Sequence, residues 1–258
     1  MMIESKNNQQ IRNLLKLKRQ AKERKKQKVF LVEGIRMFQE VPKERVVKAY
    51  ATKSFYERHE NLFDGVCYEL VDDKIFKEIS DTVTPQGVLA MIRQQEWVLQ
   101  DLLTLSENPC LLLLENIQDP GNLGTMIRTG EGAGITGVIM SRDTVDIYNP
   151  KVIRSTMGSI YRVPFLYADD LKQVLEELKR HQIHSYAARL DGEDVYQSDF
   201  KEGCAFMIGN EGNGLSDDLS AMAERYIKIP MCGQVESLNA AIAATVLMYE
   251  TMRQRKES

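Results

Sequence analysis

The chain predicts an α/β protein of two units, and three observations carry that expectation. Its 258 residues allow between one and two domains at about 150 residues each. From residue 29 onward, short apolar runs of four to six residues alternate with amphipathic segments, the pattern of strands feeding helices. A stretch polar at both ends, 94–108, interrupts the alternation around Trp97–Leu105. It separates a first unit, 1–93, from a second, 109–258.

The elements follow in order. Between Asn8 and Lys28, Ile11, Leu14, Leu15, Leu17 and Ala21 recur at a roughly helical spacing with basic residues between them. That predicts one amphipathic helix with a cationic outer face. Strands are expected at Val29–Val32, Val46–Ala51, Cys67–Val71 and Val88–Ile92, and helices at Ile35–Glu40, stopped near Pro42, and at Lys74–Ile79. The linker holds a helical turn or two. Beyond it, strands at Cys110–Leu114, Gly137–Met140, Ile183–Ala187, Ala205–Ile208 and Tyr226–Ile229 alternate with helices at Leu123–Glu131, Leu171–Arg180 and Leu238–Arg253. Strands this short and this apolar predict a mostly parallel sheet covered on both faces.

Composition excludes several classes. No apolar run reaches the roughly 18–20 residues of a membrane span, and the N-terminus carries no apolar signal core. Cys67, Cys110, Cys204 and Cys232 lie far apart, with no C-x-x-C pair. They read as free thiols in a reducing cytoplasm rather than as a disulfide frame or a zinc site. Net charge is −3, yet residues 1–28 hold ten Lys/Arg against two acidic residues. A mildly acidic body with a basic arm is the pattern of a protein that meets an anion at one place.

Two familiar signatures fail on context. Gly132-Ala-Gly134-Ile-Thr-Gly137 spells G-x-G-x-x-G, but it follows a helix and precedes a strand. The glycines therefore read as a helix C-cap and turn, not as a dinucleotide loop. His181 and His184 close a charged helix without a neighbouring carboxylate or thiol, so no metal is expected there.

Three glycine-rich polar segments remain, each at the end of an apolar strand: Leu114–Gly130, Met207–Ser216 and the stretch from Ile229 to Ala244. In open α/β sheets ligands bind where such loops gather. Their residues resemble the SpoU family of RNA ribose 2′-O-methyltransferases, within the SPOUT superfamily. Asn122-Leu-Gly-Thr-Met-Ile-Arg128 looks like the first motif. Ile208-Gly-Asn-Glu211 with Gly214 and Ser216 looks like the second, and Ile229-Pro-Met231 with Gly233 and Ser237-Leu-Asn239 like the third. Asn149 to Gly158 resembles the middle segment. Phe30–Gly34 and Gln86–Ala90 are similar to the RNA substrate-binding domain of two-domain members.

The resemblance implies a trefoil knot in the second unit, bound S-adenosylmethionine, a homodimer with shared sites and an RNA substrate, ribosomal rather than transfer RNA. It places the cofactor among Gly209, Ile229, Met231 and Leu238. It makes Asn122, Arg128, Glu211, Ser237 and Asn239 the catalytic candidates. Arg128 would take the hydroxyl proton, although a guanidinium with pKa above about 12 is a poor base. The other role open to it is anchoring the phosphate beside the target ribose. Glu211 would fix Arg128 or another cation, and Ser237 and Asn239 would open the last helix. Lys18, Arg19 and Lys22 in the basic arm, with Arg154, are the candidates for RNA contact. Two other readings compete: base methylation on the same fold, and a non-catalytic RNA-binding or assembly factor.

Overall fold

A computed structural model describes residues 2–235 and 237–256. The chain runs through β1 (Met2–Ile3), α1 (Gln9–Arg19), α2 (Ala21–Gln27), β2 (Val29–Glu33), α3 (Ile35–Glu40), β3 (Val46–Ala51), α4 (Lys53–Arg58), β4 (Tyr68–Val71), α5 (Asp73–Ile79) and β5 (Val88–Arg93). It continues through α6 (Leu99–Thr104), β6 (Cys110–Leu114), α7 (Pro120–Ala133), β7 (Gly137–Ser141), α8 (Pro150–Thr156), β8 (Phe165–Ala168) and α9 (Leu171–Arg180). Last come β9 (His184–Asp194), β10 (Cys204–Ile208), α10 (Asp217–Ser220), β11 (Arg225–Lys228) and α11 (Ala240–Lys256). Two compact units result. One holds the chain up to Gln95 together with Asp146–Tyr161; the other holds Glu96–Val145 and the chain from Arg162 onward.

The first unit is a mixed sheet ordered β1-β4-β3-β5-β2, with β5 antiparallel to both neighbours. The apolar stripe of α1, Ile11, Leu14 and Leu17, is fully buried against Val29, Leu31, Tyr50 and Leu89. Each such side chain contributes about 1.5–3 kcal/mol on leaving water. The expected single N-terminal helix is broken. Gln20 is extended, at φ −123° and ψ 111°. Arg24, only 4% exposed, turns back to donate to the Leu17 carbonyl at 2.6 Å and the Lys18 carbonyl at 3.3 Å. It thereby satisfies acceptors that the end of α1 leaves open. Its guanidinium also pairs with Asp146 at 2.5 Å, so this member of the basic arm is internal.

The second unit is a six-stranded, wholly parallel sheet ordered β11-β9-β10-β6-β7-β8. Every residue of β6 and β10 is buried, as apolar strands between two helical layers must be. Asp119 caps α7, Pro120 stands in its first turn, and Gly134 at φ 77° is the expected C-cap, while Gly132 lies within the helix and Gly137 begins β7. α11 packs on α7, where a Cβ on Gly130 would lie 3.3 Å from the Met248 sulfur. Its alanine face (Ala240, Ala241, Ala244) is buried within the unit. Among the described residues no helix is long and apolar enough to cross a membrane.

Candidate functional site

The site forms where the strand order reverses. Leu114 of β6 and Ile208 of β10 are register partners. The chain leaves β6 for β7 and β8 on one side and reaches β9 and β10 on the other. Loops leaving two such strands diverge and open a crevice. The segment after Leu114 backs it through hydrogen bonds to Asn210 and Ser216, and the segments after Ala187, Ile208 and Lys228, with the start of α11, enclose a cavity of about 560 Å³.

Two residues at the end of β6 clamp one wall. Glu115 accepts from the backbone N–H and the hydroxyl of Ser216, both at 2.7 Å. Asn116, at φ 56° and bonded to the Ser141 hydroxyl, offers its carbonyl to the Asn210 amide at 2.9 Å. Asn210 closes its own turn. Its Oδ1 accepts from the Gly212 and Asn213 N–H groups, and its backbone pairs with Gly214 in both directions. Gly209 lies flush against that turn: a Cβ there would stand 2.0 Å from the Gly214 carbonyl carbon. Only glycine fits.

On the facing wall, β9 bulges away from β11 between Ala187 and Glu193. Arg189, on this bulge, lies over the Tyr226 ring at 4.9 Å and binds Asp191 through Nε and Nη2. That contact holds the Asp191 carboxyl below the usual carboxylate range and raises the Arg189 guanidinium.

Gly209, Ile229, Met231 and Leu238 all line the cavity, as do Ser237 and Glu211. At its rim the three motifs share a row of hydrogen bonds. Asn122 Nδ2 donates to Glu211 Oε1 at 2.7 Å, and Asn239 Nδ2 donates to Asn122 Oδ1 at 3.0 Å. Glu211 is thus bonded to Asn122 rather than to Arg128. Arg128 is exposed on α7, and its side chain has no ion pair or hydrogen bond among the described residues. The final helix starts two residues later than its spacing suggests. Asn239 Oδ1 caps it, accepting from the Ala241 and Ile242 N–H groups, and Ser237 lies in the loop before it.

Of the four candidates for RNA contact, Arg19 and Lys22 are exposed on α1 and α2. Lys18 and Arg154 converge on Asp81, at 2.9 and 3.7 Å, and Lys18 also donates to the Ser80 carbonyl. The Lys18 charge is therefore already engaged inside the first unit.

Sequence reasoning passed over Glu115, Asn116, Asn210 and Arg189 as individuals. A carboxylate and an amide directly after a wholly apolar strand were the available signal for the first two. The cavity lies within the about 300–1,000 Å³ of small-molecule sites. Ile208, Ile227, Leu238 and Leu247 supply apolar walls, and main-chain groups at 209–214 and 229–231 supply polar edges. Such a lining suits a flat heteroaromatic ring with hydrogen-bonding edges.

Residues 109–249 match the SpoU rRNA Methylase family, and residues 8–90 match an MRM3-like substrate binding domain. The 23S rRNA (guanosine(2553)-2'-O)-methyltransferase RlmP of Bacillus subtilis is 36% identical over 96% of this chain and 97% of its own. Among solved structures, the SpoU methyltransferase AviRb of Streptomyces viridochromogenes, in complex with the cofactor AdoMet, superposes with a TM-score of 0.89. It does so at 26% identity, over 98% of this chain and 100% of its own. An AdoMet-bound rRNA methyltransferase from Sinorhizobium meliloti gives 0.84 at 27% identity, over 98% and 97% of the two chains.

Proposed function

The chain belongs to the SpoU rRNA methylase family, and we propose that it transfers a methyl group from S-adenosylmethionine to a ribose 2′-hydroxyl of ribosomal RNA. The observation that carries this reading is the Asn239–Asn122–Glu211 row at the rim of a cavity built for a small heteroaromatic ligand. The cofactor, when bound, supplies an electrophilic methyl group. Gly209, Ile229, Met231 and Leu238 hold it in the cavity through close backbone approach and apolar contact.

On the RNA side, the exposed Arg128 anchors the phosphate beside the target ribose and stabilises the developing alkoxide. A guanidinium has no lone pair with which to take the hydroxyl proton. Glu211 has one, stands at the rim and is oriented through Asn122, so it is the acceptor in this reading. Asn239 fixes Asn122 and starts α11, and Ser237 faces the cavity beside the reacting groups.

Ribosomal RNA is favoured over transfer RNA by the additional substrate-binding unit and by the relative named for 23S rRNA. Arg19 and Lys22 track the RNA backbone in this account. Four free thiols suit a cytoplasmic setting. A homodimer is supported by Ile242 and Tyr249, 50% and 41% exposed on α11; an active monomer in sedimentation would contradict it. The family's trefoil threading is supported by the family match and by a parallel strand order in which β10 lies beside β6.

Incubation with methyl-labelled S-adenosylmethionine and unmodified ribosomal RNA tests the reading. Label should enter RNA, and Arg128→Ala should stop it by about 100-fold or more. Calorimetry should find cofactor affinity little changed in that variant. A wild-type protein that binds the cofactor but labels no RNA would sink the proposal.

A further inference from the structure

The first unit has a pocket of its own. It lies where the end of β3 and the start of α4 meet the start of β5 and the first turn of α5, and it encloses about 110 Å³. That is well below the about 300 Å³ at which a pocket engulfs a whole small molecule. It therefore has room for one projecting group of a larger ligand.

The lining selects that group. Arg58 spends its Nε on the Ser54 carbonyl at 2.9 Å, and the two terminal nitrogens of its guanidinium have no partner among the described residues. Lys77, exposed on α5, has no acidic partner among the described residues, whereas Lys18, Lys48 and Lys53 in the same unit are each paired. Gln86 accepts from the Ile35 N–H at 2.8 Å through Oε1, so its amide nitrogen remains a donor. Thr52 and Ser54 add hydroxyls. The pocket is rich in donors and carries two cations that have no ion pair among the described residues, with one carboxylate, Asp73, in the same lining.

The frame is close-fitting. Gly87, at φ 90°, brings its backbone so near that a Cβ would stand 2.6 Å from Thr52 Oγ1. Gly34, at φ 95°, does the same against Gln86 Oε1 at 2.8 Å. Phe76, 1% exposed, closes the floor.

We propose that this pocket is a subsite for the phosphate of one nucleotide of the RNA, whose ribose stands at the pocket mouth and whose base stays outside. Arg58, Lys77 and the Gln86 amide take that phosphate, and Asp73 accepts from the ribose 2′-hydroxyl. The charge pattern fits the phosphate, and a carboxylate acceptor beside it tells RNA from DNA. The proposal rests on the RNA reading given above and deepens it, since nothing there assigns these residues.

The test compares Arg58→Gln with Lys77→Gln, singly and together, in the full-length protein, with unmodified ribosomal RNA as the probe. Lys53→Gln, on the same helix but outside the pocket, is the control. The double variant should bind RNA about tenfold more weakly, and its salt slope should fall by about 0.7 for each phosphate no longer neutralised. The control should match wild type, and calorimetry should find S-adenosylmethionine affinity unchanged in all four proteins. Asp73→Asn should narrow the preference for a short single-stranded RNA over its 2′-deoxy counterpart. A double variant with wild-type affinity and slope overturns the subsite while leaving wild-type methyl transfer intact. Failure of the wild type to bind or label RNA at all would overturn the underlying reading as well.

Discussion

Asn122 donates its side-chain amide to Glu211 at 2.7 Å across 89 residues of sequence, and that bond ties the first motif to the second. It gives Glu211 a fixed orientation at the cavity rim, and in the proposed function the carboxylate is the acceptor for the ribose proton. Glu211→Gln keeps the size and a hydrogen-bonding oxygen but removes the basic lone pairs. It is expected to lower kcat by about 10²–10⁴-fold, the usual worth of a positioned base, with the KM for S-adenosylmethionine nearly unchanged. Steady-state kinetics with unmodified ribosomal RNA decide it; a kcat within twofold of wild type removes Glu211 from proton transfer.

Gly209 admits no side chain. The Cβ of Gly209→Ala would meet the Gly214 carbonyl carbon at 2.0 Å and the Leu215 nitrogen at 2.1 Å, both main-chain atoms that cannot swing aside. Overpacking of this kind costs about 1–3 kcal/mol, and here it deforms the wall of the cavity. Calorimetry should detect no cofactor binding, while thermal unfolding shows a folded protein of lowered Tm. Binding at wild-type strength would mean that the cofactor lies elsewhere.

Glu115 acts through Ser216. Its two oxygens hold the Ser216 N–H and hydroxyl, and both partners are on or near the surface, so stability should change by less than about 1.5 kcal/mol in Glu115→Ala. The effect should appear as a KM for S-adenosylmethionine raised roughly fivefold, with Glu115→Gln restoring part of it. A change in kcat alone would show that the clamp serves the RNA side instead.

The buried strands β6 and β10 were legible because apolar runs without alternation have only one place to go. The Gly134 cap of α7 was legible because the context of its glycine motif contradicted a dinucleotide loop. The break at Gln20 was not, since the stripe Ile11, Leu14 and Leu17 continues in register with Ala21. Only the fold of Arg24 onto the Leu17 carbonyl reveals it. Two-residue β1 and four-residue β8 are too short to show a period. The site residues were readable as motif members, but the Asn239–Asn122–Glu211 row depends on partners up to 117 residues apart, which one sequence does not pair.

The basic arm divides into structural and exposed charges. Lys18 is held by Asp81 and Arg24 by Asp146, so reversing either would unsettle the fold as well as any RNA contact. Arg19→Glu with Lys22→Glu alters only exposed positions. This pair should weaken binding across many RNA sequences and flatten the salt slope by roughly one unit for each phosphate that loses its cation. Filter binding at a series of salt concentrations checks it. Unchanged affinity and slope would reduce these residues to a solvated helix face.

One measurement decides which atom of RNA receives the methyl group. Ribosomal RNA lacking the modification is labelled by the wild-type protein with methyl-labelled S-adenosylmethionine and then hydrolysed in alkali. A 2′-O-methyl group removes the neighbouring nucleophile that alkaline cleavage needs, so the label should survive in a dinucleotide. Label recovered in mononucleotides would mean base methylation on the same fold. No label in RNA, from a protein that binds both cofactor and RNA, would mean a non-catalytic factor.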